Sequence, residues 1–314
     1  MTTFRYPLPE AEPPSPWGGL SDEARTSLTR IAMGPSAANQ LLTPNGNGAE
    51  GLTADVQAWA ANDFEATNWY QYPDQYGLDA PTSLQELAAV SPNLAPTLSR
   101  LYEAKQSLVL SNEATPEGQN VGETMHLAFI PWQAMRDHLT DFDQWVKTLR
   151  DSQNIATSDD YINDSLLAAI KSNQPLYRDS DRPTQLLTPT EYLDKKIAED
   201  GPWSVMLVQT SQEAGIERIK GQSPDEMTGS GSQHLELAGQ PIDAMGVFEW
   251  IALTMQKDPK ELSPQDVSWL LANRMSVDGV PHVPDGDWSG GRVGSYLYWA
   301  DDQFENVRVR LAVI

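Results

Sequence analysis

The chain has no cysteine. That single absence removes disulfides, thiolate metal sites and cysteine nucleophiles, and leaves the redox compartment unreadable. Histidine is scarce: His126, His138, His234 and His282 make up the full set of 4. None stands at a metal-ligand spacing such as i, i+4, and no acidic residue completes a familiar triad. Surface or turn histidines are therefore expected, with no metal and no cofactor. Basic residues are outnumbered, 21 Lys and Arg against 44 Asp and Glu, giving a formal charge of −23. A field of that sign repels phosphate backbones and anionic lipid, so neither nucleic acid nor a membrane surface is the expected partner. Its plain effect is solubility. Long apolar runs are missing too, since charge interrupts the richest windows within a few residues, and no membrane insertion is expected. The opening MTTFRYPLPEAEPPSPWGG lacks a basic start followed by an apolar run. No secretory signal is expected from it, and surface display by another route stays open.

What is present fits a globular protein. The 314 residues are 39% hydrophobic and include 10 Trp, 10 Tyr and 6 Phe, enough for one large domain or two. Residues 1–19 are proline-rich and read as an extended arm, and Ser21-Asp22-Glu23 starts a helix that stops at Gly34-Pro35. Helical patterns recur over 52–62, 82–89 and 94–110, the last with Leu94, Leu98, Leu101 and Leu108 near helical spacing. The pentapeptide QLLTP occurs at 40–44 and again at 185–189, which reads as a shared helix-entry turn or coincidence rather than a repeat. TMHLAFI predicts a strand over 124–130, followed by one helix over 131–150 with Trp132, Met135, Leu139, Phe142, Trp145, Val146 and Leu149 inward. A helix is expected over 159–171, capped by Ser158 or Asp159, then a linker over 173–190 and a short helix over 190–199. Beyond Gly201-Pro202 the texture changes. Strands are expected at 203–210 and 234–237, and helices at 242–256 and from Ser263-Pro264 to Met275. A turn-rich stretch from Gly279 to Gly291 and two closing strands complete the pattern.

The order of these pieces carries more than any one of them. IDAMGVFEW followed by LSPQDVSWLLANR resembles the formylglycine-generating-enzyme-like domains, a branch of the C-type-lectin fold. The matching positions are Ala244, Phe248, Glu249 and Trp250, then Leu262, Pro264, Trp269, Ala272 and Arg274. Asp287-Trp288, Arg292 and Val307-Arg308-Val309-Arg310-Leu311 stand in for the family's glycine–tryptophan loop and closing strand. The likeness covers about residues 201–314. It implies an α+β, C-type-lectin-like C-terminal domain over 121–314, with its signature-bearing core at 201–314, preceded by an arm and a mainly helical region over 1–120. The family's enzymes act through paired cysteines, which this chain lacks, so formylglycine formation is excluded.

A non-enzymatic branch with the same fold comprises the variable proteins of diversity-generating retroelements, whose C-terminal binding surface is diversified at adenines. That resemblance implies substitution toward Tyr, Ser, Asp, Gly, Ala, Phe and Asn but never toward Trp, Gln or Glu. Over 294–306 it marks Ser295, Tyr296, Tyr298, Ala300, Asp301, Asp302, Phe304 and Asn306 as reachable, and Trp299, Gln303 and Glu305 as scaffold. Asp287 and Ser289 join the candidate ligand-binding set. The period of a strand puts Tyr296, Tyr298 and Ala300 on one face and Leu297 and Trp299 on the other. Trp288, Leu297, Trp299, Val307, Val309 and Leu311 are then the expected scaffold. Tyrosine offers a large, stiff contact surface, and Ser, Gly and Asn adapt their hydrogen bonds around it. A half-buried hairpin whose tyrosines fill gaps against the helical half fits the same residues.

The expectation is a non-enzymatic protein that binds a protein or a surface glycan through its C-terminal surface. A cysteine-independent enzyme of the same fold, or a structural protein of a phage or cell surface, are the alternatives. Trp145, Trp250 and Trp269 are expected in the core, and Arg274, Arg308 and Arg310 as partners of acidic residues. Asp285-Gly286-Asp287 reads as a turn or, less simply, a cation loop. The aromatic run from Trp69 to Tyr76 fits packing and a partner surface equally.

Overall fold

A computed structural model gives the fold. It describes residues 52–66, 81, 84–152, 157–179, 185–209, 215–216, 219, 222–228, 234–237, 240–243, 245–256, 267–289, 292–304, 307–309 and 312–313. All of them belong to one compact unit spanning Pro44–Ile314. The Ser21 helix, the first QLLTP and the Trp69–Tyr76 run lie outside the described residues. The protein mixes helix and sheet in the α+β manner.

Helices α1 (Ala54–Ala66), α2 (Leu84–Val90) and α3 (Leu94–Ser111) form where the apolar spacing predicts them. Leu94, Leu98, Leu101 and Leu108 bury one face of α3. The helix stops at Asn112, which turns left-handed (φ 54°) and donates its N–H to the Val109 carbonyl. These helices lie on a three-stranded sheet of β1 (Met125–Ile130), β5 (Ser204–Gln209) and β14 (Ala312–Val313), ordered β1-β5-β14. Every residue of β5 is buried, so both faces of that central strand are covered and its sequence, SVMLVQ, has no polar alternation.

The helix expected over 131–150 is broken. It comprises α4 (Trp132–Asp137), a 3₁₀ turn at Leu139–Asp141 and α5 (Phe142–Ser152). At the break the His138 ring stacks on Trp145 with centroids 5.2 Å apart and its Nδ1 lies 3.2 Å from Asp141. The first half of the helix expected over 159–171 is a strand, β2 (Thr157–Ile162), paired in parallel with β11 (Arg292–Ser295). The cap is Asn163 rather than Ser158 or Asp159: its side chain accepts from Ser165 and Leu166 N–H and starts α6 (Asp164–Lys171).

The expected linker at 173–190 is core instead. Leu176 and Tyr177 are fully buried, β3 (Tyr177–Arg178) pairs with β4 (Leu186–Leu187), and Arg178 N–H and Arg274 N–H tie this segment to Ala272 and Leu176 carbonyls. The second QLLTP is a helix entry: Thr188 caps α7 (Pro189–Asp200), a capping box with Glu191 closes it and Pro189 sits in the first turn.

The largest departure concerns 242–289. A hairpin of β6 (His234–Leu237) and β7 (Gln240–Asp243) occupies the start of the expected helix, leaving α9 as Val247–Gln256. Where a second helix was expected to reach Met275, the described residues form β8 (Val267–Trp269) and β9 (Met275–Val277); residues 257–266 are outside the description. Asp278 (φ 52°) and Gly279 (φ 81°) then make a two-residue turn with both φ angles positive, the geometry that joins twisted antiparallel strands. It launches β10 (Val280–Ser289), a ten-residue strand through the stretch expected to be turn-rich. β10 pairs with β9 and β12 (Leu297–Trp299) along its first half, and with β8 and β11 along its second. β13 (Val307–Arg308) adds beside β8. Gly286 is required in β10 by close approach, because a Cβ there would lie 2.4 Å from the Trp250 indole of α9.

Candidate functional site

Two aromatic regions carry the chemistry, one closed and one open. The closed one sits where α7, β3, α9 and the Asn273 turn meet. Tyr177 stacks on Tyr192 (4.2 Å between centroids) and on Phe248 (4.9 Å). Glu249, wholly buried, accepts the Tyr192 O–H and the Gly246 N–H (3.0 Å). The Asn273 side chain accepts Val247 N–H at 2.7 Å, and Phe248 N–H donates to the Tyr177 oxygen at 3.3 Å. These contacts satisfy the first N–H groups of α9, the role of a capping network. Burial pushes the Glu249 carboxyl above its ordinary 4.5, although the Tyr192 hydroxyl draws it the other way. Burial, and then the Glu249 charge, push the Tyr177 phenol well above its usual value. Beside them burial and the like charge of Arg274 lower Arg178 to about 10, while Arg274 pairs with Asp225 at 2.5 Å, as expected for that arginine. Trp145, Trp250 and Trp269 are buried, also as expected.

A smaller polar group ties α1 and α3 to β1. Asp63 accepts Leu127 N–H at 2.9 Å and lies 3.2 Å from His126 Nδ1, while Lys105 Nζ donates to the Met125 carbonyl at 2.6 Å. Burial alone would raise the Asp63 carboxyl, but His126, Lys105 and the Leu127 N–H together hold it below its ordinary value. Among the described residues no group of three or more His, Asp or Glu converges on a point that could hold a metal ion.

The open region is the first half of β10 with its neighbours. Register pairs His282 with Trp299, Val283 with Tyr298 and Pro284 with Leu297, and on the other flank Val280 with Val277 and His282 with Met275. Opposed residues share a face, so Val277, Val280, His282, Pro284, Leu297 and Trp299 line one side of this patch. That side opens outward at one end, where Trp299 is 57% exposed and Val280 43%, while Val277, His282 and Leu297 are half-buried and Pro284 and Met275 are buried. His282 Nδ1–H donates back to the Val280 carbonyl at 2.9 Å and so fixes its ring. Tyr298 points the opposite way, edge-on to Trp269 at 5.8 Å and to Phe304 at 5.2 Å.

The alternation expected from the sequence is present only in part: Tyr296 is exposed as expected, but Tyr298 and Trp299 have exchanged places. Trp299, assigned to the scaffold, is the exposed residue, while Tyr298 and Phe304, assigned to display, are half-buried against Trp269. Ser295 and Ala300, both 2% exposed, lie beneath the surface: the Ser295 hydroxyl donates to the Asp285 carbonyl, and Ala300 accepts from Asp225 N–H beside α8 (Pro224–Thr228). Tyr296 is exposed at 38% and Asp301 is exposed, whereas Asp302 is half-buried and accepts Trp299 N–H at 3.1 Å. Asp287 and Ser289 belong to β10, with side chains outside the described set, as Asn306 is entirely. Asp285 is buried mid-strand, accepting Tyr296 N–H at 2.7 Å, which overturns both the turn and the cation-loop readings of Asp285-Gly286-Asp287. Val309 is buried as scaffold should be, and Leu297 only half so.

Sequence reasoning missed the closed cluster because Tyr177 lay in an apparent linker. It missed Val280 and His282 because they lay in an apparent turn. The Asp278-Gly279 pair flanked by valines was the available signal for both strands. No described helix is long and apolar enough to cross a membrane. Comparison of the chain with protein families, curated proteins and solved structures gives no match.

Proposed function

We propose that the protein is a binding protein, that its recognition surface is the outward face of β10 and β12 with Tyr296 beside it, and that its ligand is a protein or a surface glycan. The scaffold proposed is α+β of the C-type-lectin-like kind. The observation that carries the reading is the exposure of Trp299 on β12, whose neighbour Tyr298 packs inward on Trp269 and Phe304, with Tyr296 exposed just before the strand. An exposed tryptophan on a rigid strand costs little entropy to dock, and contiguous apolar surface of this sort marks interaction sites. The catalytic alternative draws less support, because the Glu249 carboxylate is spent on the Tyr192 hydroxyl and the Gly246 N–H, and the Asn273 and Tyr177 oxygens on the backbone of α9.

Protein and glycan arrays probed with the wild type and with Trp299→Ala and Tyr296→Ala test this. Ligand retained by the wild type, lost by both variants and kept by Leu110→Ala, equally exposed on α3, is the expected result. Binding that survives both changes places the site elsewhere and overturns the reading. Diversification is the narrower part of the proposal and is read in DNA. It requires a near-copy of the segment encoding 285–314, differing chiefly at adenines, beside a reverse-transcriptase gene. Of the positions it would vary, Tyr296 and Asp301 are exposed, whereas Ser295 and Ala300 are buried.

A further inference from the structure

The charge around this face points to the nature of its occupant, an inference that rests on the proposed binding surface. From Met275 to Phe304 the sequence holds Asp278, Asp285, Asp287, Asp301 and Asp302 against a single basic side chain, Arg292, and no lysine. Asp285 is turned inward, but Asp278 and Asp301 are exposed and Asp302 is half-buried. The register concentrates the surface carboxylates. Running on from His282↔Trp299, with Ala300 N–H donating to the Pro281 carbonyl, it brings residue 301 toward Val280, next to the Asp278 turn. One end of the face is thus acidic, and the other, at the half-buried Leu297, is apolar. Trp299 lies between them. Nearby, Arg274 is committed to Asp225.

We propose that the face binds a cationic protein segment, one that seats an arginine or lysine over the Trp299 ring against Asp278 and Asp301 and an aliphatic side chain on the half-buried Leu297. A cation over an indole face is attracted by the ring's quadrupole, and adjoining carboxylates add to that attraction. Two residues of extended chain span about 6.6 Å, the separation of His282 from Pro284 along β10, so alternate residues of the partner reach the two subsites. A second copy of the chain is disfavoured as occupant, since it would bring carboxylate against carboxylate in a protein of net charge −23.

The probe is a synthetic peptide of alternating arginine and leucine, compared by calorimetric titration with its citrulline analogue and with a neutral oligosaccharide. Binding of the arginine peptide is expected to weaken about fivefold in Trp299→Ala. A similar loss, about fivefold, is expected in the double variant Asp278→Asn/Asp301→Asn. The citrulline peptide should lose the same affinity on the wild type. The double variant Glu117→Gln/Glu123→Gln removes two exposed charges elsewhere and should bind as the wild type does. An equal loss there would mean that the peptide reads only the overall field, and would overturn the proposal. Trp299-dependent binding of the oligosaccharide but not of the peptide would overturn the cationic partner while leaving the binding face intact. Trp299→Ala without effect on either probe would overturn both.

Discussion

The Tyr177–Tyr192–Phe248 stack and the Trp299–Tyr296 face are built from the same residue types and do opposite work. In the stack Tyr177 lies 4.2 Å from Tyr192 and 4.9 Å from Phe248, and the polar atoms around them bond to Glu249, Asn273 and the start of α9. On the face Trp299 and Tyr296 are exposed, beside Tyr298 packed on Trp269 and Phe304. The difference teaches that aromatic content signals neither core nor site by itself. What separates the two is whether the polar partners of the rings belong to the fold.

The comparison can be broken most forcefully from below. Trp269 is the floor of the face, touching Tyr298 and Phe304, so Trp269→Ala should cost about 3–5 kcal/mol in denaturant unfolding and lower binding as well. Gly286→Ala drives a Cβ into the Trp250 indole and should cost about 1–3 kcal/mol by the same measurement. Glu249→Gln sharpens the contrast through pH. Because the folded carboxyl lies above 4.5, its stabilising contribution is complete below that pH and is lost as pH rises through the folded value. Wild-type thermal stability should therefore fall relative to that of the glutamine variant as pH is raised from about 4.5 toward neutral. The smallest effect belongs to the face itself: Trp299→Ala should change unfolding free energy by no more than about 0.5 kcal/mol while weakening binding about fivefold. A loss of several kcal/mol there would make Trp299 part of the core and end the contrast.

Much of the fold could be read where one signal dominated. The leucine spacing of α3, the proline entry of α7 and the apolar run of β5 each pointed to one answer. Reading failed where two signals competed. Val267-Ser268-Trp269 suits a helix by spacing and a strand by residue type, and pairing with β10 decided for the strand. The segment around Tyr177 looked like a linker because its prolines and polar residues are local, whereas it packs against Phe248 and bonds to Ala272, far along the chain. For the site, the period of two along 296–300 was legible, but which face looks outward was not. That depends on Trp269, whose position against Tyr298 follows from strand β8 and not from the helix expected there.

One consequence concerns β10. Its first half carries the face and its second half is locked by Gly286 under Trp250. A ligand pulling on Trp299 loads β12 and, through its pairing, the anchored strand β10, whose hydrogen bonds to β8 and β11 share the force. Grip on the surface and resistance of the core to unzipping are properties of a single strand.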